Sequence, residues 1–245
     1  MKNKLTEEEI KYYNENGYLL VKDFIDHNHI DEFMDFVAHV ISIEAKIDQT
    51  EYSNEEILNR VLIDLKRKNP SSSSWIYQTL LASYKLKKFF VNIDISKIVM
   101  ELLNMTDERN LGTVSPAFRY DIPGDKKNVR TWHQDGNYFL ENKKGEDHLV
   151  VWIPMNKATK DNGSVIVAEG SHKQGKLEAT HEISEGFKSE QYTAPEEQYK
   201  KFPHIYIEAK KGDIAFINMD LLHSSGVNRP AQLFPEYPVY ERNKK

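Results

Sequence analysis

The amino-acid sequence predicts an α+β domain in which helices pack on one face of an antiparallel β core. Apolar residues recur at helical spacing through roughly the first hundred residues. At Leu111 the pattern changes to short β-type runs separated by Gly, Pro, Asn and Asp. The length of 245 residues suits one domain with a substantial core, and neither an internal repeat nor an extended low-complexity region divides it. The expected organisation is therefore a single unit, with mainly helical support over 1–105, a β core over 106–230 and an atypical C-terminal tail over 231–245.

Each element has a local reason. Thr6 with Glu9 three residues later reads as a capping box, and Gly17 sits where a helix C-cap belongs, so the spacing predicts a helix over 7–16. Tyr18 to Val21 reads as a strand. After Asp26, an N-cap residue, Ile30, Phe33, Met34, Val37, Val40 and Ile41 mark a longer amphipathic helix. A charged helix is expected from Ser53 to Lys68, a polar break over Ser71 to Ser74, and further helices in the apolar runs 75–90 and 96–103. Strands are expected at Thr113 to Tyr120, His148 to Pro154, Ser164 to Ala168, Ile205 to Glu208 and Asp213 to Asn218. The polar stretch from Ser171 to Pro203 is too long for an ordinary connection and reads as a lid or substrate loop.

Composition narrows the chemistry. The 33 basic and 38 acidic residues are interspersed and leave a net charge of -5, so neither a nucleic-acid partner nor an anionic membrane is expected, and a small soluble molecule fits better. The N-terminal stretch lacks the apolar run of a signal peptide, and no run of eighteen apolar residues occurs, so a soluble cytoplasmic protein is expected. With no cysteine in the chain, thiolate chemistry is excluded and nitrogen and oxygen ligands remain for any metal. Nine histidines are available.

In Trp132-His133-Gln134-Asp135-Gly136, an extended backbone turns His133 and Asp135 toward the same side. His223, just past an apolar strand-like run, offers a third ligand. Two imidazoles and one carboxylate form the facial arrangement that leaves positions open on non-haem iron(II). A His-x-Asp pair by itself also occurs in surface turns and in ordinary hydrogen-bonded pairs.

The ordered blocks carry more. Arg119-Tyr-Asp-Ile-Pro-Gly-Asp, Trp132-His-Gln-Asp-Gly-Asn-Tyr-Phe139, Val151-Trp-Ile-Pro-Met-Asn, Asp161-Asn-Gly-Ser, Glu169-Gly-Ser-His172, Gly212-Asp and His223-Ser-Ser-Gly-Val-Asn228 follow one another in this sequence. In that order they resemble the phytanoyl-CoA dioxygenase family of iron(II) and 2-oxoglutarate-dependent oxygenases. The resemblance implies a double-stranded β-helix of the jelly-roll or cupin-like kind, with Fe(II) held by His133, Asp135 and His223. It also implies 2-oxoglutarate and O2 as co-substrates, oxidative decarboxylation to succinate, and hydroxylation of a small or medium-sized substrate. Gln134, Trp152 and Ser225 would lie by the co-substrate.

One position departs from the family. Members place an arginine on the last core strand to grip the far carboxylate of 2-oxoglutarate, and here that position is Phe234, within a proline-rich stretch that does not read as a central strand. Arg229 and Arg119 are the candidate replacements, with Arg130 also near the strand leading to His133. The departure keeps a second reading open, a metal-binding relative with lost or altered chemistry acting as a binding or regulatory domain. A third is a cupin-like isomerase or lyase using metal without 2-oxoglutarate. His172 reads as a hydrogen-bonding turn residue and His27, His29 and His39 as helix residues, while His148, His181 and His204 have no partner at ligand spacing. Tyr138 and Phe139 read either as substrate-flanking or as core aromatics.

Overall fold

Helix α1 (Glu7–Asn16) begins where its capping box dictates: the Thr6 hydroxyl accepts the Glu9 N–H at 3.2 Å, and the Glu9 carboxylate accepts the Thr6 N–H at 2.8 Å. It stops at Gly17, whose φ of 83° returns its N–H to Tyr13 O at 2.7 Å. Only glycine fits there, because a Cβ would also collide with the His172 ring. The structure, a computed structural model, describes residues 4–113, 116–121, 123, 129–138, 148–182 and 191–228. The C-terminal tail, with Arg229 and Phe234, lies outside the described residues, as does Phe139.

After strand β1 (Tyr18–Val21), α2 (His27–Ala45) is capped by the Asp26 carboxylate and buries Ile30, Phe33, Val37 and Ile41 on one face. A helical stretch follows as α3 (Asn54–Glu56), a π turn (Ile57–Val61) and α4 (Leu62–Lys68), and then come α5 (Pro70–Ala82), α6 (Tyr84–Asn92) and α7 (Ser96–Leu102). The polar break expected at Ser71 to Ser74 is instead the first turn of α5. Asn69 caps it and Pro70 occupies its first position, the start signal that outweighs a serine run. Ser72 is buried there and donates to Glu44 Oε1 at 2.6 Å. The apolar run 75–90 is likewise two helices rather than one, divided at Ser83, whose hydroxyl caps α6.

The β elements are β2 (Leu149–Trp152), β3 (Val165–Ala168), β4 (Thr180–Glu182), β5 (Gln191–Thr193), β6 (His204–Tyr206), β7 (Ile214–Asn218) and β8 (His223–Ser225), with helix α8 (Glu196–Tyr199) between β5 and β6. They pair antiparallel in two three-stranded sheets, β1-β7-β2 and β6-β3-β8, with β4 and β5 paired separately. The run expected as a strand at Thr113 to Tyr120 forms none among its described residues. Phe118 instead packs on Phe33, ring centroids 5.5 Å apart, against the helical layer.

Strand β7 explains the layering. Its side chains alternate, Ile214 and Phe216 joining the helical core and Ala215 and Ile217 joining Val167, Ile207 and Leu221. A strand buried on both faces reads as a continuous apolar run, which Ile-Ala-Phe-Ile does. The first sheet is thus a middle layer between the helices and the second sheet. Among the described residues no helix is long and apolar enough to cross a membrane.

Phe216 is fully buried in the middle of that layer, paired with Leu19 on one side and Val151 on the other. Phe216→Ala is expected to lower unfolding stability by about 3–5 kcal/mol. Urea unfolding followed by circular dichroism measures it, and a loss below about 1 kcal/mol would mean that the two layers do not close on this side chain.

Candidate metal centre

His133 and His223 face each other across a single antiparallel bridge in which each backbone N–H donates to the other's carbonyl, at 2.9 and 3.0 Å. The bridge extends the second sheet, because His223 is also opposite Val167 of β3. Gln134 is extended, with φ -109° and ψ 132°, so Asp135 comes round to the side of His133 before the chain tightens into a 3-10 turn at Asp135–Asn137. The side-chain geometry read from the i, i+2 spacing therefore holds, although the segment is one extended bridge and no longer strand.

The three side chains converge, each offering one donor atom, all within 4.8 Å of one another. Asp135 Oδ1 lies 3.4 Å from His133 Nε2, and Oδ2 lies 3.5 Å from His223 Nε2. Each imidazole is locked from behind: His133 Nδ1 meets Thr131 O at 2.6 Å, and His223 Nδ1 meets Leu221 O at 2.9 Å. A carbonyl only accepts, so both Nδ1 atoms carry a proton and both Nε2 atoms face the carboxylate. Burial lowers the pKa of His223, against the pull of Asp135. Burial would raise Asp135, but His223, His133 and the charge of Arg119 bring it down to about 2. Two imidazole Nε2 atoms and a carboxylate, aimed at one point with their partner carbonyls behind the rings, form a donor set suited to a divalent transition metal such as iron(II).

The other sequence-predicted residues are distributed around this point. Ser225 accepts the Arg130 N–H through its hydroxyl at 3.1 Å, and its own N–H donates to Arg130 O at 3.0 Å, fixing the next rung of the same pairing. Trp152 is half-buried between the two sheets against the Ala215 and Leu221 cluster. Arg119 sits close enough for its charge to act on both Asp135 and His223, and its guanidinium is 3.5 Å from Asp121. Gln134, expected beside a co-substrate, is committed elsewhere. It is 1% exposed, and its carboxamide makes three contacts with backbone: it donates to Gly175 O and Asp220 O and accepts from Leu177 N–H. The alternation that turns its neighbours toward the centre turns Gln134 away.

His172 is a turn residue as expected, its Nε2 meeting Asn14 O at 3.1 Å and its ring seated on Gly17. Of the wall beside His133, the sequence singled out Tyr138 and Arg130 but not Tyr192. The Tyr138 ring meets His133 edge-on at 5.6 Å and Tyr192 edge-on at 5.0 Å, with the Arg130 guanidinium 5.5 Å from its centre. Tyr192 belongs to the stretch 171–203, which is more ordered than a plain loop. That stretch contains β4, β5 and α8, and it returns to the segment before His133 where Ala194 N–H donates to Trp132 O at 2.7 Å and Trp132 stacks on Tyr199 at 4.5 Å.

The sequence profile of the phytanoyl-CoA dioxygenase (PhyH) family matches residues 13–233. The peroxisomal phytanoyl-CoA dioxygenase of Homo sapiens is 23% identical over 239 residues, covering 93% of this chain, while this chain spans 65% of the human relative's length. Among solved structures, the non-heme alpha ketoglutarate dependent carbocyclase SnoK from nogalamycin biosynthesis superposes with a TM-score of 0.52 at 14% identity, covering 92% of this chain and 79% of that one. EvdO2 from Micromonospora carbonacea var. aurantiaca, complexed with 2-oxoglutarate, gives a TM-score of 0.52 at 11% identity, covering 92% and 85%. At those identities the likeness extends to the fold, which is the cupin-like mixture of helix and sheet found in these enzymes.

The lowered pKa of Asp135 means that its ionised form contributes stability to the metal-free chain, fully present above the free carboxylate range and lost as pH falls through about 2. Asp135→Asn removes that charge and is expected to lower stability by about 1–2 kcal/mol at pH 7 in the presence of a chelator. Urea titration reads this. A gain of similar size would mean that the carboxylate faces two imidazole lone pairs when no metal is bound.

Proposed function

Because the chain belongs to the phytanoyl-CoA dioxygenase family, we propose that it is a non-haem iron(II), 2-oxoglutarate-dependent dioxygenase that hydroxylates a small or medium-sized soluble molecule. The reading takes the whole chain as one oxygenase domain built on a double-stranded β-helix, with His133, Asp135 and His223 as the iron ligands. The observation that carries it is the buried convergence of two Nε2 lone pairs and one carboxylate within 4.8 Å. Iron(II) bound there with 2-oxoglutarate and O2 supplies the oxidising power to replace a C–H bond by C–OH, with succinate and carbon dioxide as co-products.

The chain's own residues do the rest. Thr131 O and Leu221 O hold the two imidazoles in the tautomer that binds metal without first releasing a proton. Asp135 offsets one positive charge of the cation. Burial of His133 and His223, 5% and 9% exposed, keeps bulk water from both imidazoles. Trp152 and Ser225 line the co-substrate side in this reading. Gln134 does not, since its polar atoms are engaged by backbone.

Arg119 takes the role of the cation that receives the far carboxylate of 2-oxoglutarate. Its charge already reaches Asp135 and His223, and its contact with Asp121 at 3.5 Å is too long for a tight fork. Arg229, the alternative, lies outside the described residues. The second reading, a metal-binding relative without oxygenase chemistry, is favoured only if 2-oxoglutarate fails to bind.

Two measurements test this. Anaerobic iron(II) at a hundred times its Kd is expected to stabilise the wild type by about 2.7 kcal/mol, a rise of about 5–10 °C in melting temperature, and to leave Asp135→Ala unchanged. Titration of the iron-loaded protein with 2-oxoglutarate should then develop a weak violet charge-transfer band, with Arg119→Ala raising the apparent Kd at least tenfold, about 1.4 kcal/mol, without loss of iron. No band in the iron-loaded wild type would replace the oxygenase by the binding-domain reading. An unchanged Kd in Arg119→Ala would move the anchor to Arg229.

A further inference from the structure

The residue between two of the three candidate ligands is a buried amide that touches none of the chemistry. Gln134 is 1% exposed, and its carboxamide bonds to three backbone groups in two other parts of the chain. Its Nε2 donates to Asp220 O at 2.6 Å and to Gly175 O at 2.9 Å, while Oε1 accepts Leu177 N–H at 2.7 Å. Asp220 begins the turn that delivers His223, and Gly175 and Leu177 begin the long stretch that returns at Tyr192 and Ala194 to flank the centre.

The turn before His223 is also held by the His133–His223 bridge, by Gly136 N–H donating to Met219 O at 3.1 Å and by Ser171 Oγ accepting Leu222 N–H at 2.9 Å, so the distinctive task of the carboxamide is to tie Gly175 and Leu177 to that turn. The Leu177 side chain packs with Trp132 around Leu222, so the same stretch is pinned on its apolar side immediately before the first ligand. The carboxamide is the polar half of that attachment. No other uncharged side chain of this length offers two N–H donors and an acceptor at once, and a carboxylate there would face two carbonyl oxygens.

We propose that Gln134 is a positioning residue that couples the candidate metal centre to the 175–177 backbone: it ties that backbone to the segment between His133 and Asp135 and to the turn before His223, and it passes occupancy of the centre on to the flanking stretch. The inference rests on the metal reading above. Coupling of this kind is reciprocal, so the metal must order Leu177, and loss of the attachment must weaken the metal.

The test uses the full-length chain and Mn(II), a divalent ion that avoids oxidation during the measurement. Wild-type hydrogen exchange, followed by mass spectrometry, should slow at residues 175–179 on adding Mn(II) by at least five times the factor seen in the α5 peptide 76–82. Gln134→Met, similar in volume but without donors, should abolish that local gain and weaken Mn(II) binding about tenfold. Ile76→Val, a core change in α5 far from the centre, should leave Mn(II) affinity within twofold, which separates positioning from general loss of stability.

The inference is overturned if wild-type protection at 175–179 rises no more than at 76–82, if Gln134→Met binds Mn(II) as the wild type does, or if Ile76→Val weakens binding equally. Should Gln134→Met fail to fold, the wild-type exchange comparison decides alone. A wild type that binds no Mn(II) or iron(II) at all overturns the metal reading itself, an outcome distinct from a metal-binding chain without the coupling.

Discussion

The site depends on one backbone interaction, the pair of hydrogen bonds exchanged between His133 and His223. It joins two regions far apart in sequence and sets the distance between two imidazoles whose tautomers are separately fixed by Thr131 O and Leu221 O. Asp135 then needs only one extended residue to come alongside. A side-chain contact in this position would leave the rings free to turn. A ladder bond does not, because moving it by one residue would present the opposite face of the segment.

What keeps that pair in register is the layering around it. Strand β7 closes the helical core with Ile214 and Phe216 and the space between the sheets with Ala215 and Ile217. The chain leaving β7 turns at Asn218 to Leu222, where Leu221 and Leu222 are fully buried and Ser171 Oγ accepts the Leu222 N–H at 2.9 Å. His223 thus arrives from a turn held by apolar burial, by the Gly170-Ser171 turn and by Gln134.

The electrostatics follow from burial more than from net charge. An overall charge of -5 says little about a centre where Arg119 is the neighbouring cation that influences both Asp135 and His223. Desolvation would raise Asp135, and His223 and His133 beside it, with a smaller contribution from Arg119, keep it ionised. The aromatic wall of Tyr138 and Tyr192, with the Arg130 guanidinium over Tyr138, stands beside His133.

The sequence by itself determined whatever depends on local chemistry: the capped ends of α1 and α2, the apolar run of β7, the same-side placement of His133 and Asp135, and the family to which the ordered blocks belong. It misread Ser71 to Ser74 because serine is ambiguous until Asn69 and Pro70 are seen to start a helix, and β-type composition did not make a strand of the described residues in Thr113 to Tyr120, where Phe118 packs on Phe33. Only the tertiary structure decided that Gln134 faces backbone, that Tyr192 from a distant stretch stands beside Tyr138, and that Arg119 lies near the centre. Those facts turn on which segments meet across the sheets, and contacts between residues distant in the chain leave no periodicity or spacing in the sequence from which to read them.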